Sequence, residues 1–256
     1  MDKYINIKFK FIIIFIDMSD RIINFYEKLN LSKNKKPKNW KQHHIHHNSH
    51  ILCIGATGTG KTNTSMNYIL RSSGEFKQII IFTGSTTEEP LYKALLENNN
   101  NVEIYNDIDE MPSLDSFDEE NMDKNKKLII WDDFINLTPK ELKKIFKYIV
   151  SSRKYGCSNW LMAQSYTSVP KIIVRNVNYI ILFKINDNIS IDNIIRNHNL
   201  TNIDKDLFKE VYRLSTQQPL DFILLDFKSN DEKDRIRYNF LNFLCLKPKK
   251  DPMLLC

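Results

Sequence analysis

The sequence is poor in glycine and cysteine, and its apolar runs are short. Its 256 residues include six glycines and four cysteines. The cysteines are widely spaced without a C-x-x-C pair, which offers no disulfide framework and indicates a reducing compartment. An apolar run at residues 11–16 has six residues between Lys10 and Asp17, far fewer than a bilayer span requires. These shortages argue against a disulfide-stapled domain and against a membrane span.

The charge is also modest. A net charge of +6 and a pI near 8.9 are compatible with a nucleic-acid partner but do not require one. A chain of 256 residues with 42% apolar residues is long enough for one substantial α/β domain with a real core.

Three of the six glycines fall in one stretch, residues 55–62. It fits the phosphate-loop pattern G-x-x-x-x-G-K-[ST], with an apolar strand-like run before it and a helix-compatible run after it. Glycines let backbone N–H groups approach phosphate oxygens, Lys61 brings a cation to the β- and γ-phosphates, and Thr62 offers a hydroxyl to Mg²⁺. An ordinary glycine turn is a weak alternative in so glycine-poor a chain. The predicted nucleotide-binding residues are Gly55, Ala56, Thr57, Gly58, Thr59, Gly60, Lys61 and Thr62.

A second chemical element is the apolar run at residues 128–131, which ends in Asp132 and Asp133. A strand of this kind places carboxylates at the carboxyl edge of an open α/β sheet, where ligands bind. Asp132 is predicted to serve Mg²⁺ through its water shell, and Asp133 to orient or deprotonate the attacking water. A solvated strand end is the plain alternative. A further strand candidate in the gap after the loop favours the class with a strand inserted between these two elements.

Residues 159–165 predict another strand, and its end carries Gln164. A glutamine there is suited to sensing the γ-phosphate, although a strand cap is the competing interpretation. The sequence thus predicts an α/β nucleoside triphosphatase with a mostly parallel central sheet flanked by helices, of the RecA-like type with additional strand.

Outside this core the sequence is less informative. Residues 1–42 are interpreted as an extension with a basic linker, 43–230 as the ATPase domain and 231–256 as a tail packed on it. The histidine-rich segment at residues 43–50 is expected to be a solvated lead-in to the first core strand. A metal site there, or stacking of Trp40 or a histidine on a nucleotide base, stays open as an alternative.

With these residues placed, the chain resembles the poxvirus-type genome-packaging ATPases of large DNA viruses and virophages, in the FtsK–HerA superfamily. The similarity covers about residues 45–230. It is carried by residues 55–62, 128–133 and an ordered block comprising 152–156, 161–166, 169–176 and 179–184.

The resemblance implies ATP and Mg²⁺ as ligands and Lys61, Asp133 and Gln164 as catalytic. It also implies that Arg153 or Arg175 is given in trans to a neighbouring subunit of a homo-oligomeric ring. Double-stranded DNA and a viral capsid or portal component are the implied partners, and host cytoplasm the implied location. Many relatives have glutamate where this chain has Asp133, whose side chain is shorter by one methylene group.

Other functions stay open from the sequence alone. A related motor for chromosome, plasmid or DNA-end processing keeps the same chemistry, and a nucleotide-dependent assembly switch keeps the binding with negligible turnover. Basic stretches such as residues 33–38 and 140–147 give no recognisable DNA-reading element, so the expectation of DNA rests on the resemblance.

Overall fold

A computed structural model describes residues 5–9, 12–16, 28, 36–84, 89–117, 124–198, 200 and 204–246. The chain divides into two compact units, Met1–Lys36 and Pro37–Cys256. In the first unit, strands β1 (Ile5–Phe9) and β2 (Ile12–Ile16) pair in antiparallel register, with Ile5 opposite Ile16.

The second unit is built around one sheet, which has nine strands within the described residues. The strands are β3 (His50–Ile54), β4 (Gln78–Thr83), β5 (Val102–Tyr105), β6 (Lys127–Asp132), β7 (Cys157–Ala163), β8 (Tyr179–Leu182), β9 (Ile223–Asp226), β10 (Ile236–Tyr238) and β11 (Asn242–Phe243). Their order across the sheet is β11-β10-β9-β8-β3-β7-β6-β4-β5. The strands from β8 to β5 in this order pair in parallel, whereas β9, β10 and β11 add an antiparallel edge.

Helices cover both faces of the sheet, so both sides of each central parallel strand are buried and its residues are mostly apolar. All seven residues of β7 and all five of β3 are buried. Alternate residues of each strand enter two hydrophobic clusters, one on each face: Leu52 and Ile54 belong to one cluster, Ile51 and Cys53 to the other. Continuous apolar runs therefore mark the strands that hold the site.

Seven α-helices are described in this unit: α1 (Trp40–His43), α2 (Lys61–Arg71), α3 (Pro90–Asn98), α4 (Pro139–Ser151), α5 (Lys171–Val174), α6 (Asn188–Asn197) and α7 (Lys205–Ser215). Their starts follow local sequence signals. Thr138 and Glu141 form a reciprocal capping box before α4, with Pro139 in its first turn, and the Asp204 side chain caps α7.

The strand between β3 and β6 is β7, which follows both of them in sequence. The sequence correctly predicts an inserted strand but takes it from the wrong part of the chain. The strands of the gap, β4 and β5, lie beyond β6 instead. A run of apolar residues predicts a buried strand but does not indicate which strands pair with it. The position of each strand in the sheet therefore depends on tertiary packing.

The histidine-rich segment is not a solvated lead-in, and this expectation was wrong. His43 is fully buried and His50 is 1% exposed. The His50 ring lies 3.1 Å from Asn159 Nδ2, inside the sheet. The segment enters the amino end of β3, the edge of the sheet opposite to the phosphate loop.

Residues beyond 230 contribute to this sheet. Arg237 on β10 is fully buried, and its guanidinium donates to Asp226 Oδ2 at 3.1 Å and to the His43 and His44 carbonyls at 3.1 Å each. The carboxyl-terminal strands are thereby tied to the segment that leads into β3.

Candidate functional site

The loop between β3 and α2 has the backbone geometry that its glycines predict. Gly60 has φ +104°, in the left-handed region, directly before the first residue of α2. A Cβ at Gly55 would meet both Thr59 Oγ1 and Phe183 Cβ, so a larger residue would not fit there. The Gly55 N–H donates to the Ala163 carbonyl at 3.1 Å, which fastens the loop to the end of β7.

Lys61 lies at the amino end of α2 and closes over the loop. Its Nζ donates to the carbonyls of Gly55 at 2.8 Å and Ala56 at 3.1 Å. The free N–H groups of the first helical turn lie at the same place, and their partial positive charge favours an anion. The loop is therefore built to hold a phosphate chain.

Asp132 ends β6, next to Thr83 of β4. Tyr92 on α3 is 2% exposed, and its hydroxyl donates to Asp132 Oδ2 at 2.8 Å. Burial raises the pKa of Asp132, while the Tyr92 hydrogen bond acts in the opposite direction. Burial and the Asp132 carboxylate raise the pKa of the same phenol, whereas the Thr62 side chain, which lies near it, lowers that pKa.

Tyr92 thus lies beside both residues that the sequence predicts for Mg²⁺. Hydroxyl and carboxylate oxygens are ligands that Mg²⁺ accepts. These residues therefore fit the metal. The sequence did not reveal Tyr92, because the amphipathic pattern of a helix does not indicate which of its side chains will contact a carboxylate on another element.

Asp133 is held in an uncommon conformation beside the loop. Its φ is +51°, and it precedes a short 3₁₀ turn, Phe134–Asn136. Gly84, after β4, lies so close that a Cβ there would be 2.8 Å from the Asp133 carbonyl oxygen. Gly84 is a second residue that the sequence did not reveal. Left-handed conformations outside glycine are uncommon and recur at functional sites.

Lys61, Asp133 and Gln164 meet in one cavity of about 280 Å³. Gln164 is exposed and directly follows β7. The remaining wall residues are Ile135, Asn136, Met162, Ala163, Ser165 and Ser168. The fold thus brings to one edge of the sheet three residues that are distant from one another in the sequence.

The two candidate arginines are not among the residues that line this cavity. Arg153 lies in a 3₁₀ turn before β7, and Arg175 follows α5, ahead of β8. Gln164 lies at the other end of β7, and the seven residues of that strand extend about 20 Å. Both arginines are exposed and belong to the amino-end side of their strands.

The family model of the Poxvirus A32 protein matches residues 38–255, which is most of the chain. The chain belongs to the poxvirus A32 protein family. The resemblance to poxvirus-type packaging ATPases is thereby confirmed.

Solved structures similar to this A32 family member support the same fold. The genome packaging NTPase B204 from Sulfolobus turreted icosahedral virus 2, in complex with sulfate, has 16% identity and a TM-score of 0.50, covering 75% of this chain and 95% of that chain. The DNA-packaging ATPase B204 from Sulfolobus turreted icosahedral virus has 15% identity and a TM-score of 0.51, covering 75% of this chain and 97% of that chain.

A third structure is the cytoplasmic domain of the Thermomonospora curvata Type VII secretion ATPase EccC. It has 14% identity and a TM-score of 0.50, covering 76% of this chain and 25% of that chain. At such identities the likeness shows the fold, and the predicted phosphate-loop α/β architecture is confirmed.

No curated protein sequence matches the chain significantly. In the part of the chain that the structure describes, no helix has the length and apolar character needed to cross a membrane.

Proposed function

We propose that this protein hydrolyses ATP to drive viral double-stranded DNA into a preformed capsid. The observation that carries the proposal is the meeting of Lys61, Asp133 and Gln164 in one cavity beside the phosphate loop, in a chain of the A32 family. Hydrolysis of a phosphoanhydride requires positioning and charge neutralisation, and this cavity brings together residues suited to both.

The loop and the amino end of α2 bind the phosphate chain, and Lys61 turns from the loop carbonyls to the β- and γ-phosphate oxygens. Asp133 orients a water molecule and accepts its proton as the water oxygen bonds to the γ-phosphorus. The bond from the γ-phosphorus to the bridging oxygen breaks, and ADP leaves with that electron pair. Gln164 hydrogen-bonds the γ-phosphate and reports whether it is present.

Thr62 and Asp132 are the residues that would hold Mg²⁺, Asp132 through the water shell of the ion. When bound, the metal supplies charge neutralisation on the β- and γ-phosphate oxygens. Tyr92 keeps the Asp132 carboxylate in place by donating to one of its oxygens.

The arginines have a place in this proposal if the protein forms a homo-oligomeric ring. Arg153 and Arg175 are exposed and lie apart from the cavity of their own chain, so each is available to a neighbouring subunit. An arginine inserted in trans neutralises the transferred phosphoryl group and couples one subunit to the next. The ring would act with DNA and a capsid or portal component in the host cytoplasm.

ATP hydrolysis with and without double-stranded DNA tests the proposal. We expect DNA to stimulate the wild type, and Lys61→Ala and Asp133→Asn each to lower turnover by about 100-fold or more. Asp206→Asn, an exposed change on α7, serves as a control and should retain wild-type turnover. A wild type that DNA does not stimulate, with variants that match its rate, would overturn the motor. Nucleotide-dependent partner binding with negligible turnover would support an assembly switch instead.

A further inference from the structure

The turn that connects α7 to β9 touches the phosphate loop. The Leu220 Cδ2 atom occupies the space that a Cβ at Gly60 would take. Ile223, at the start of β9, pairs with Leu182 at the carboxyl end of β8. Leu220 therefore lies at the sheet edge that also carries the cavity, although it is distant from the loop in sequence.

Leu220 is held in a conformation that is costly for its side chain. Its φ is +70°, and the side chain is 49% exposed. Pro219 precedes it, and the Asp221 N–H donates to the Gln218 carbonyl at 3.3 Å to close the turn. Glycine or asparagine usually takes this position of such a turn, so a bulky residue there is an outlier that points to a role.

The side chain of Asn239 stabilises this turn through two hydrogen bonds. Its Nδ2 donates to Asp221 Oδ1 at 3.3 Å, and its Oδ1 accepts from the Phe222 N–H at 3.1 Å. Asn239 itself has φ +54°. These bonds hold the turn in a conformation that places the Leu220 side chain beside Gly60. About half of that apolar residue is exposed to solvent.

The position of Leu220 relative to the catalytic residues indicates what it meets. In the sheet, β7 and β6 lie on one side of β3, and β8 and β9 lie on the other. Asp133 and Gln164 follow β6 and β7, whereas Leu220 precedes β9. A nucleotide whose γ-phosphate points to Asp133 and Gln164 therefore extends its nucleoside toward the side of Leu220.

We propose that Leu220 forms an apolar contact surface for the nucleoside of ATP on the β9 side of the phosphate loop. The inference rests on the proposed function, since Asp133 and Gln164 define the γ-phosphate end. Gln217 and Gln218 are exposed in the same turn, and their amides suit hydrogen bonds to ribose or base. Trp40 is excluded from this role, because α1 contacts the far end of α2, where Arg71 Nη1 donates to the Gln42 carbonyl at 3.0 Å.

Calorimetric titration with two Mg²⁺-loaded probes tests the contact. The non-hydrolysable ATP analogue AMPPCP carries the nucleoside, whereas inorganic tripolyphosphate lacks it. We expect Leu220→Ala to weaken AMPPCP binding by roughly fivefold to tenfold, the value for about 50 Å² of apolar contact. Tripolyphosphate binding should stay at the wild-type affinity.

Two further variants separate the contact from folding of the turn. Leu220→Gly should weaken AMPPCP binding to the same extent while the melting temperature stays level or rises, because glycine accepts the left-handed conformation. Leu70→Ala removes another exposed leucine, nine residues and about 14 Å along α2 from Lys61, and should bind both probes normally.

The outcomes distinguish the two proposals. Wild-type AMPPCP affinity in both Leu220 variants, or an equal loss for tripolyphosphate, would overturn the nucleoside contact. Lys61→Ala should weaken both probes. If it weakens both while the Leu220 variants bind normally, the contact fails and the ATPase stands. If Lys61→Ala binds both normally, the phosphate site itself is refuted.

Discussion

The Tyr92 hydroxyl donates a 2.8 Å hydrogen bond to Asp132 Oδ2 and thereby connects α3 to the carboxyl end of β6. The bond holds one oxygen of a half-buried carboxylate in place. In the proposed site, Tyr92 is therefore a residue that positions Asp132 rather than a catalytic residue.

Tyr92→Phe should raise the Mg²⁺ concentration for half-maximal ATPase by about tenfold, the usual cost of losing a residue that orients a metal ligand. Maximal turnover at saturating Mg²⁺ should change little. The measurement is a Mg²⁺ titration of turnover and of Mg²⁺-dependent nucleotide binding. Tyr105→Phe is the matched control, since its hydroxyl donates to Glu103 Oε2 at 2.8 Å on an edge strand. An unchanged or lower Mg²⁺ requirement in Tyr92→Phe would contradict the positioning role.

Gly84→Ala should disturb Asp133 directly. The added Cβ would lie 2.8 Å from the Asp133 carbonyl oxygen, so the backbone of one residue must move. We expect about 1–3 kcal/mol of destabilisation together with a lower kcat, measured by chemical denaturation and ATPase assays. Gly74→Ala is the control, because Gly74 has φ +74° but nothing within 4 Å of its added Cβ. That variant should lose about 1 kcal/mol of stability with unchanged kcat.

Arg237→Met should destabilise the fold by about 3–5 kcal/mol, because it leaves the Asp226 carboxylate buried without its partner. Asp226→Asn combined with Arg237→Met should cost less than the sum of the single changes. Denaturant unfolding of the single and double variants measures the coupling. Arg235→Met, which removes a partly buried guanidinium bonded to the Ser229 carbonyl, should cost much less. Additive losses would show that the ion pair is not energetically coupled.

Acid should weaken the fold through buried histidine. Burial lowers the pKa of His50 to about 4, and the positive charge of Arg153 adds to the effect. The unfolded chain takes up this proton near pH 6.5 and the folded chain near pH 4. The unfolding free energy should therefore be full above about pH 6.5 and fall as the pH drops toward 4, by up to about 1.4 kcal/mol per pH unit for each such histidine.

His50→Gln should make that slope shallower, because glutamine can still accept from Asn159 Nδ2 without titrating. Urea unfolding at a series of pH values between about 4 and 7 measures the slope. Burial also lowers the pKa of His47 and His198 to about 4, so part of the slope should persist. An identical slope in wild type and His50→Gln would rule out a contribution from His50.

Arginine in trans is testable by mixing subunits. An Asp133→Asn subunit lacks the residue proposed to activate water but retains both arginines. An Arg153→Ala or Arg175→Ala subunit retains Asp133 but lacks one arginine. If one arginine serves its neighbour, mixtures should regain ATPase activity that neither parent has, in proportion to the mixed interfaces. Absence of rescue at every mixing ratio for both arginines would refute the trans assignment.

Much of the fold could be predicted because its signals are local. The apolar runs of β3, β6 and β7, the capping box of Thr138 and Glu141, and the glycines of the phosphate loop each act within a few residues. The burial of His43 could not be predicted in this way. The Glu75 carboxylate lies 3.4 Å from the His43 Nε2 atom. A local sequence pattern does not indicate which distant residues will surround a side chain.

The sequence by itself determined the phosphate loop and the acidic strand end, because spacing and periodicity encode them. Tertiary structure alone decided that β7 separates β3 from β6, that Tyr92 donates to Asp132, and that Leu220 lies against Gly60. Each of these depends on which distant strands become neighbours. That choice follows from burying many apolar faces at once, which no single stretch of the sequence contains.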